Sequence, residues 1–131
     1  MTGDYAVSVA AGSLRSGLRA DAAFPHRWTT EGVAVETAFT GAHLFHLSAA
    51  ACVLNDIYRE AEKSGVELVG VRVDADGGFD AETWQSTGVT YRVQLDSAAP
   101  NDKLDELLRL VDEVAEIPRA MRATARVERG A

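Results

Sequence analysis

Cys52 is the only cysteine in this 131-residue chain. A lone cysteine excludes an internal disulfide. The chain also opens without a basic segment followed by an apolar run, so no signal peptide is expected and the setting expected is a reducing cytoplasm, where a thiol stays free. Basic residues are scarce as well: 13 Lys and Arg stand against 20 Asp and Glu, a net charge of −7. That balance argues against nucleic acid, whose phosphates need a basic face, and against an anionic membrane surface. No uninterrupted run of about 18 apolar residues exists, so no membrane span is expected. Repeats and low-complexity tracts are absent. What remains is a chain with 47% hydrophobic and 25% charged residues, suited to a packed core rather than to disorder and short enough for a single domain over 1–131.

Hydrophobic periodicity divides the chain into strands and helices. Tyr5, Val7 and Val9 alternate with smaller or more polar residues, as do Val33, Val35, Thr37 and Phe39. With Leu14–Ala20 between them, these segments predict three strands of an antiparallel meander, and Asp21–Thr30 reads as a loop. A long helix is expected from Ala42 to about Lys63, ended by Ser64-Gly65 with Gly65 as a left-handed cap. Its first three turns are apolar nearly all round, which predicts a central helix covered on several sides. Strands follow around Val69–Asp76 and Val89–Asp96, with Gly77–Gly88 connecting them. A second helix opens at Pro100-Asn101 and carries the stripe Leu104, Leu107, Leu108, Val111 and Val114. Pro118 is expected to stop it, Arg119–Arg122 to form a turn, and Ala123–Glu128 a last strand. The order βββ-α-ββ-α-β predicts an α+β fold.

Helical spacing constrains the chemistry available to Cys52. At 100° per residue, Phe45, Ser48, Ala49, Asn55, Asp56 and Arg59 share its face, whereas His43 and His46 do not. A local Cys–His dyad is therefore disfavoured, and activation of the thiol has to come from another segment, most naturally from an arginine. The alternative is a buried structural cysteine among alanines. No metal or cofactor site is expected. His26, His43 and His46 lack a matching carboxylate or thiol, and Asp74, Asp76 and Asp80 lack the distal Glu of a calcium loop. Trp28 and Trp84 fall in loops.

The segment Leu44-Phe45-His46-Leu47-Ser48-Ala49-Ala50-Ala51-Cys52 resembles the Leu- and Ala-rich helix that ends in the peroxidatic cysteine of the OsmC/Ohr family, the osmotically inducible and organic hydroperoxide resistance proteins. Glu62–Val73 is similar to that family's helix end, glycine and valine strand. Ala115–Arg122 is similar to the segment that carries its second cysteine before a proline. The element order agrees over nearly the whole chain. The resemblance implies an intertwined homodimer with the cysteine-bearing helices at its centre and antiparallel sheets wrapped outside. It also implies reduction of organic hydroperoxides: a thiolate attacks the O–O bond, becomes a sulfenate, is resolved by the second cysteine and is regenerated by a dithiol. On this pattern Cys52 matches the peroxidatic residue, and Arg15, in Gly12–Gly17, matches the arginine that prepares it.

Two departures stand out. Ile117 occupies the place of the second cysteine, and Ala42 that of the glutamate expected ten residues before Cys52. Two readings follow: a one-cysteine peroxidase resolved by an external thiol, and a non-catalytic relative that binds a small apolar ligand at the dimer interface.

Overall fold

The valine-rich segments build one six-stranded sheet in a computed structural model that describes residues 3–131. Its strands are β1 (Val7–Gly12), β2 (Ala22–Phe24), β3 (Val33–Glu36), β4 (Gly70–Phe79), β5 (Ser86–Asp96) and β6 (Val127–Arg129), in the order β2-β3-β1-β4-β5-β6. All neighbours are antiparallel except β5 and β6, which are parallel. Alternation decides which residues face inward. Val7, Val9, Ala11, Val71, Val73 and Ala75 enter the core against the long helix α1 (Gly41–Ser64), with Val53, Leu54 and Ile57 opposite them. Helices α2 (Asn101–Val114) and α3 (Glu116–Arg122) pack against α1 as well.

The ends of α1 follow capping chemistry. Thr40 Oγ1 accepts a hydrogen bond from the His43 amide at 3.1 Å, satisfying one free donor of the first turn. Gly65 ends the helix at φ 71°, a conformation that costs a residue without a side chain nothing. Thr40→Ala is expected to lower stability by about 1 kcal/mol in urea denaturation; an unchanged midpoint would show that the cap carries no weight.

Several expectations are corrected. Leu14–Ala20 is not a strand: Arg15–Gly17 forms a 3-10 turn, and the edge strand β2 lies within the segment read as a loop. Asp21 fixes that edge, its amide donating to the Val35 carbonyl and its carboxylate accepting from the Thr37 amide. The first three strands are not a meander, because β1 sits between β3 and β4. Pro118 does not stop a helix. The chain turns at the extended Ala115, and Pro118 is the third residue of α3, where a missing N–H leaves no bond unmade. The last strand covers only Val127–Arg129, and it runs parallel to β5, so the sheet is not wholly antiparallel.

The expectation that α1 is covered on several sides is met by the sheet, α2 and α3, and one stripe is left open. Leu44, Leu47, Ser48, Ala51 and Asn55 line an open groove of about 390 Å³ between α1 and the edge of the sheet, with Phe24, His26 and Val33 opposite. Phe39, 90% exposed, and Phe24, 57% exposed, are further apolar side chains left outside the core of a single chain.

Candidate functional site

The Cys52 side chain leaves α1 toward the start of α3, because α3 begins immediately after the bend at Ala115 and lies against the middle of α1. It is half-buried. The thiol meets two carboxylates: Glu116 Oε2 accepts from Sγ at 3.5 Å and Asp56 Oδ2 at 3.8 Å. The backbone N–H of Ile117 donates toward the sulfur from the same turn. Residue 117, the position matched to the second cysteine, is therefore a direct neighbour of Cys52.

Arg59 binds this group together. Its Nη1 lies 3.2 Å from Asp56 Oδ1 and 3.4 Å from Glu116 Oε1, while Nε donates to Glu60 at 3.0 Å. Asp56 and Arg59 lie one and two turns beyond Cys52 on the face that helical spacing gave them. Glu116 was not foreseen. It comes from an element whose N-terminus the sequence pattern read as the end of a different helix, and no signal in the sequence brought a residue 64 positions along the chain into contact with Cys52.

The charges oppose thiolate formation within a single chain. Burial pushes the Cys52 thiol up to about 11, with the Asp56 and Glu116 charges adding to the shift and the Ile117 N–H offsetting part of it. With a value near 11, about one thiol in ten thousand is ionised at pH 7. Burial also raises the Asp56 carboxyl, which is 4% exposed. Glu116 is exposed, and its own backbone N–H, the Cys52 thiol and Arg59 hold it below the usual carboxylate range.

Arg15 is not part of this cluster. It lines a recess with Gly12, Ser13 and Ala34, whereas Val33 and Val35 line the groove against α1. Successive strand residues point to opposite faces, so Arg15 lies on the side of the sheet away from α1. Its Nε is buried and finds no hydrogen-bond partner among the described residues. Ala42 lies ten residues from Cys52, about 15 Å along the helix axis. Neither position can touch the sulfur of its own chain.

The histidines and the strand aspartates stay apart. His26 bonds Thr29 and Asn55, His43 bonds Thr40, and His46 is fully buried with Nδ1 donating to the Ala42 carbonyl at 2.7 Å. Asp74 pairs with Ser8 and Arg72, Asp76 with Arg92, and Asp80 holds its own turn through the Glu82 and Thr83 amides. One group of potential metal ligands does converge among the described residues, Cys52 with Asp56 and Glu116. Arg59 already supplies its positive charge, so the donor set does not require a cation. Trp28 stacks on Tyr58 beside α1, while Trp84 is 74% exposed at the tip of the β4–β5 hairpin.

A six-stranded sheet holding a long helix whose single cysteine faces a short following helix defines an α+β protein with one thiol at its centre of interest. The family model described as OsmC-like protein matches residues 34–129, and the chain belongs to the OsmC family. No curated protein matches it. Among solved structures it resembles an OsmC-like protein from Mycoplasma pneumoniae, at TM-score 0.65 and 10% identity, covering 72% of each chain. It also resembles an organic hydroperoxide resistance protein OsmC from Legionella pneumophila, at TM-score 0.61 and 21% identity, covering 95% of this chain and 93% of that one. A third is the organic hydroperoxide resistance protein OhrB of Bacillus subtilis, at TM-score 0.56 and 21% identity, covering 72% and 70%. At these identities the structural likeness establishes the fold. No helix among the described residues is long and apolar enough to cross a membrane.

Proposed function

We propose that this OsmC-family chain is a one-cysteine, thiol-dependent organic hydroperoxide reductase of the cytoplasm, a single domain that acts in oxidative-stress defence as a homodimer. The observation that carries the reading is the placement of Cys52. Its sulfur is reachable from outside and sits against a proton acceptor, Glu116, and a backbone donor, the Ile117 N–H. An external thiol takes the part of the absent second cysteine, which fits the presence of a single cysteine in the chain.

Dimerisation is needed for two reasons. The stripe of Leu44, Leu47 and Ala51 is left open in one chain, although an apolar helix face favours cover. The thiol also lacks a cation of its own, since Arg59 is engaged by three carboxylates. Arg15 faces away from the cysteine of its own chain, so any help it gives is to a second copy.

The groove of about 390 Å³ favours a second reading, a non-catalytic relative that binds a small apolar ligand there. Cumene hydroperoxide consumption with a dithiol reductant separates the two, measured for the wild type and Cys52→Ser beside light scattering. The peroxidase reading expects a dimer whose turnover vanishes in the variant. Absence of turnover in both, with ligand binding unaffected by Cys52→Ser, would leave the ligand-binding reading.

A further inference from the structure

We infer that Glu116 is the general base of the site, taking the Cys52 proton as the sulfur attacks a hydroperoxide and passing it to the leaving oxygen. The inference rests on the peroxidase reading and names a residue that the family resemblance does not supply. Its basis is geometric. Of the two carboxylates that accept from Sγ, Glu116 Oε2 is nearer, at 3.5 Å against 3.8 Å for Asp56 Oδ2, and both distances suit the larger sulfur atom. Arg59 Nη1 holds the other oxygen of Glu116 at 3.4 Å, which leaves Oε2 turned to the thiol. The Glu116 side chain is 66% exposed, so it can receive an incoming peroxide and exchange its proton, whereas the Asp56 side chain is 6% exposed.

The two carboxylates are also divided electrostatically. Asp56 is held toward its protonated form by burial, and Glu116 toward its ionised form by backbone, thiol and guanidinium. Paired groups pushed in opposite directions mark a division of proton-handling work. Glu116 thus offers an ionised acceptor beside a thiol that is itself protonated. Arg59 is a positioning residue, since it touches the base and not the sulfur.

The step balances. Sγ forms a bond to the distal peroxide oxygen as the O–O bond breaks, so the sulfur is oxidised and the peroxide reduced. The thiol proton moves to Glu116 Oε2 and then to the proximal oxygen, which leaves as the alcohol, and the distal oxygen keeps its hydrogen as the sulfenic OH. Two external thiols then return Cys52 to the thiol, yielding a disulfide and water.

Glu116→Gln separates this role from a structural one. Its oxidation by cumene hydroperoxide is expected to slow by about a hundredfold or more, the usual scale of general acid–base assistance. Alkylation by iodoacetamide needs the same thiol proton removed but none delivered to its leaving iodide, so it is expected to slow by a clearly smaller factor than the peroxide reaction. Glu116→Ala is expected to regain part of its peroxide rate with added acetate. Equal peroxide rates in wild type and Glu116→Gln would overturn the inference and leave the peroxidase reading standing. A parallel fall of both reactions, with no rescue by acetate, would assign Glu116 a merely structural part and overturn it too. No hydroperoxide consumption by the wild type would overturn the peroxidase reading and this inference together.

Discussion

An Ile117→Cys variant is expected to close a disulfide to Cys52 when treated with one equivalent of organic hydroperoxide. The Ile117 amide already donates toward Sγ, and the Cα of residue 117 is one bond, about 1.46 Å, from that nitrogen. A sulfur introduced there starts within reach of Cys52, and α3 is a short helix of seven residues that begins one position earlier, so a small shift of its first turn can bring the sulfurs to the required separation of about 2.05 Å. Chemically, the sulfenate formed on Cys52 would be attacked by the new thiol, releasing water. The product is read as loss of both free thiols and a mass lower by two hydrogens. The bridge would close a loop of about 65 residues, which the chain-entropy account converts to about 4 kcal/mol of added stability in the oxidised form. A variant that keeps two alkylatable thiols after oxidation, or that overoxidises at Cys52 while the second thiol stays free, would show that position 117 does not present its side chain to the sulfur.

The same neighbourhood shows what the sequence could and could not disclose. Valine alternation in β1, β3, β4 and β5 and the apolar run of α1 were legible because burial imposes a period of two or of 3.6. Segment types failed where local chemistry outweighed pattern. Leu14–Ala20 reads as resuming the strand pattern of the segment before it, yet Arg15–Gly17 within it makes a 3-10 turn, and the three-residue strand β2 owes its place to Asp21 rather than to any hydrophobic signal. Pro118 was read as a stop because proline breaks helix interiors, but in the first turn it breaks nothing. At the site, Asp56 and Arg59 were legible as neighbours of Cys52 because they share its helix. Glu116 was not, since its approach depends on how α3 docks, a tertiary fact without a local signature. The family resemblance placed residue 117 near the thiol correctly. The pairing it implied between Arg15 and Cys52 finds no support within one chain, because strand alternation puts Arg15 behind the sheet.

Acid is expected to destabilise the protein through His46, and substituting this residue should flatten the effect. His46 is fully buried, and its Nδ1 donates to the Ala42 carbonyl, which leaves Nε2 as a bare acceptor without a partner among the described residues. Its ring lies among Tyr5, Phe45 and Phe79. Gly77 permits the packing, since a Cβ at that position would run into the His46 ring and the Gly88 carbonyl. Burial lowers its pKa, and the nearby His43 acts in the same direction. The Ala42 carbonyl and the Asp76 charge act against it without reversing the sign. A histidine whose folded pKa lies below its unfolded value favours the folded state fully above about 6.5, and that contribution is lost as the pH falls from there through the folded value. Asp56 works in the opposite sense, because its raised carboxyl pKa favours the fold at low pH and loses that contribution as the pH rises through the carboxylate range. The decline between about pH 6.5 and 5 is therefore assigned to His46. Urea denaturation across that range should show wild-type stability falling with acid, while His46→Phe, which keeps an aromatic ring in the same cluster, should show a shallower slope. Identical slopes in the two proteins would move the acid sensitivity to another group and show that the buried imidazole gains a proton without cost to the fold.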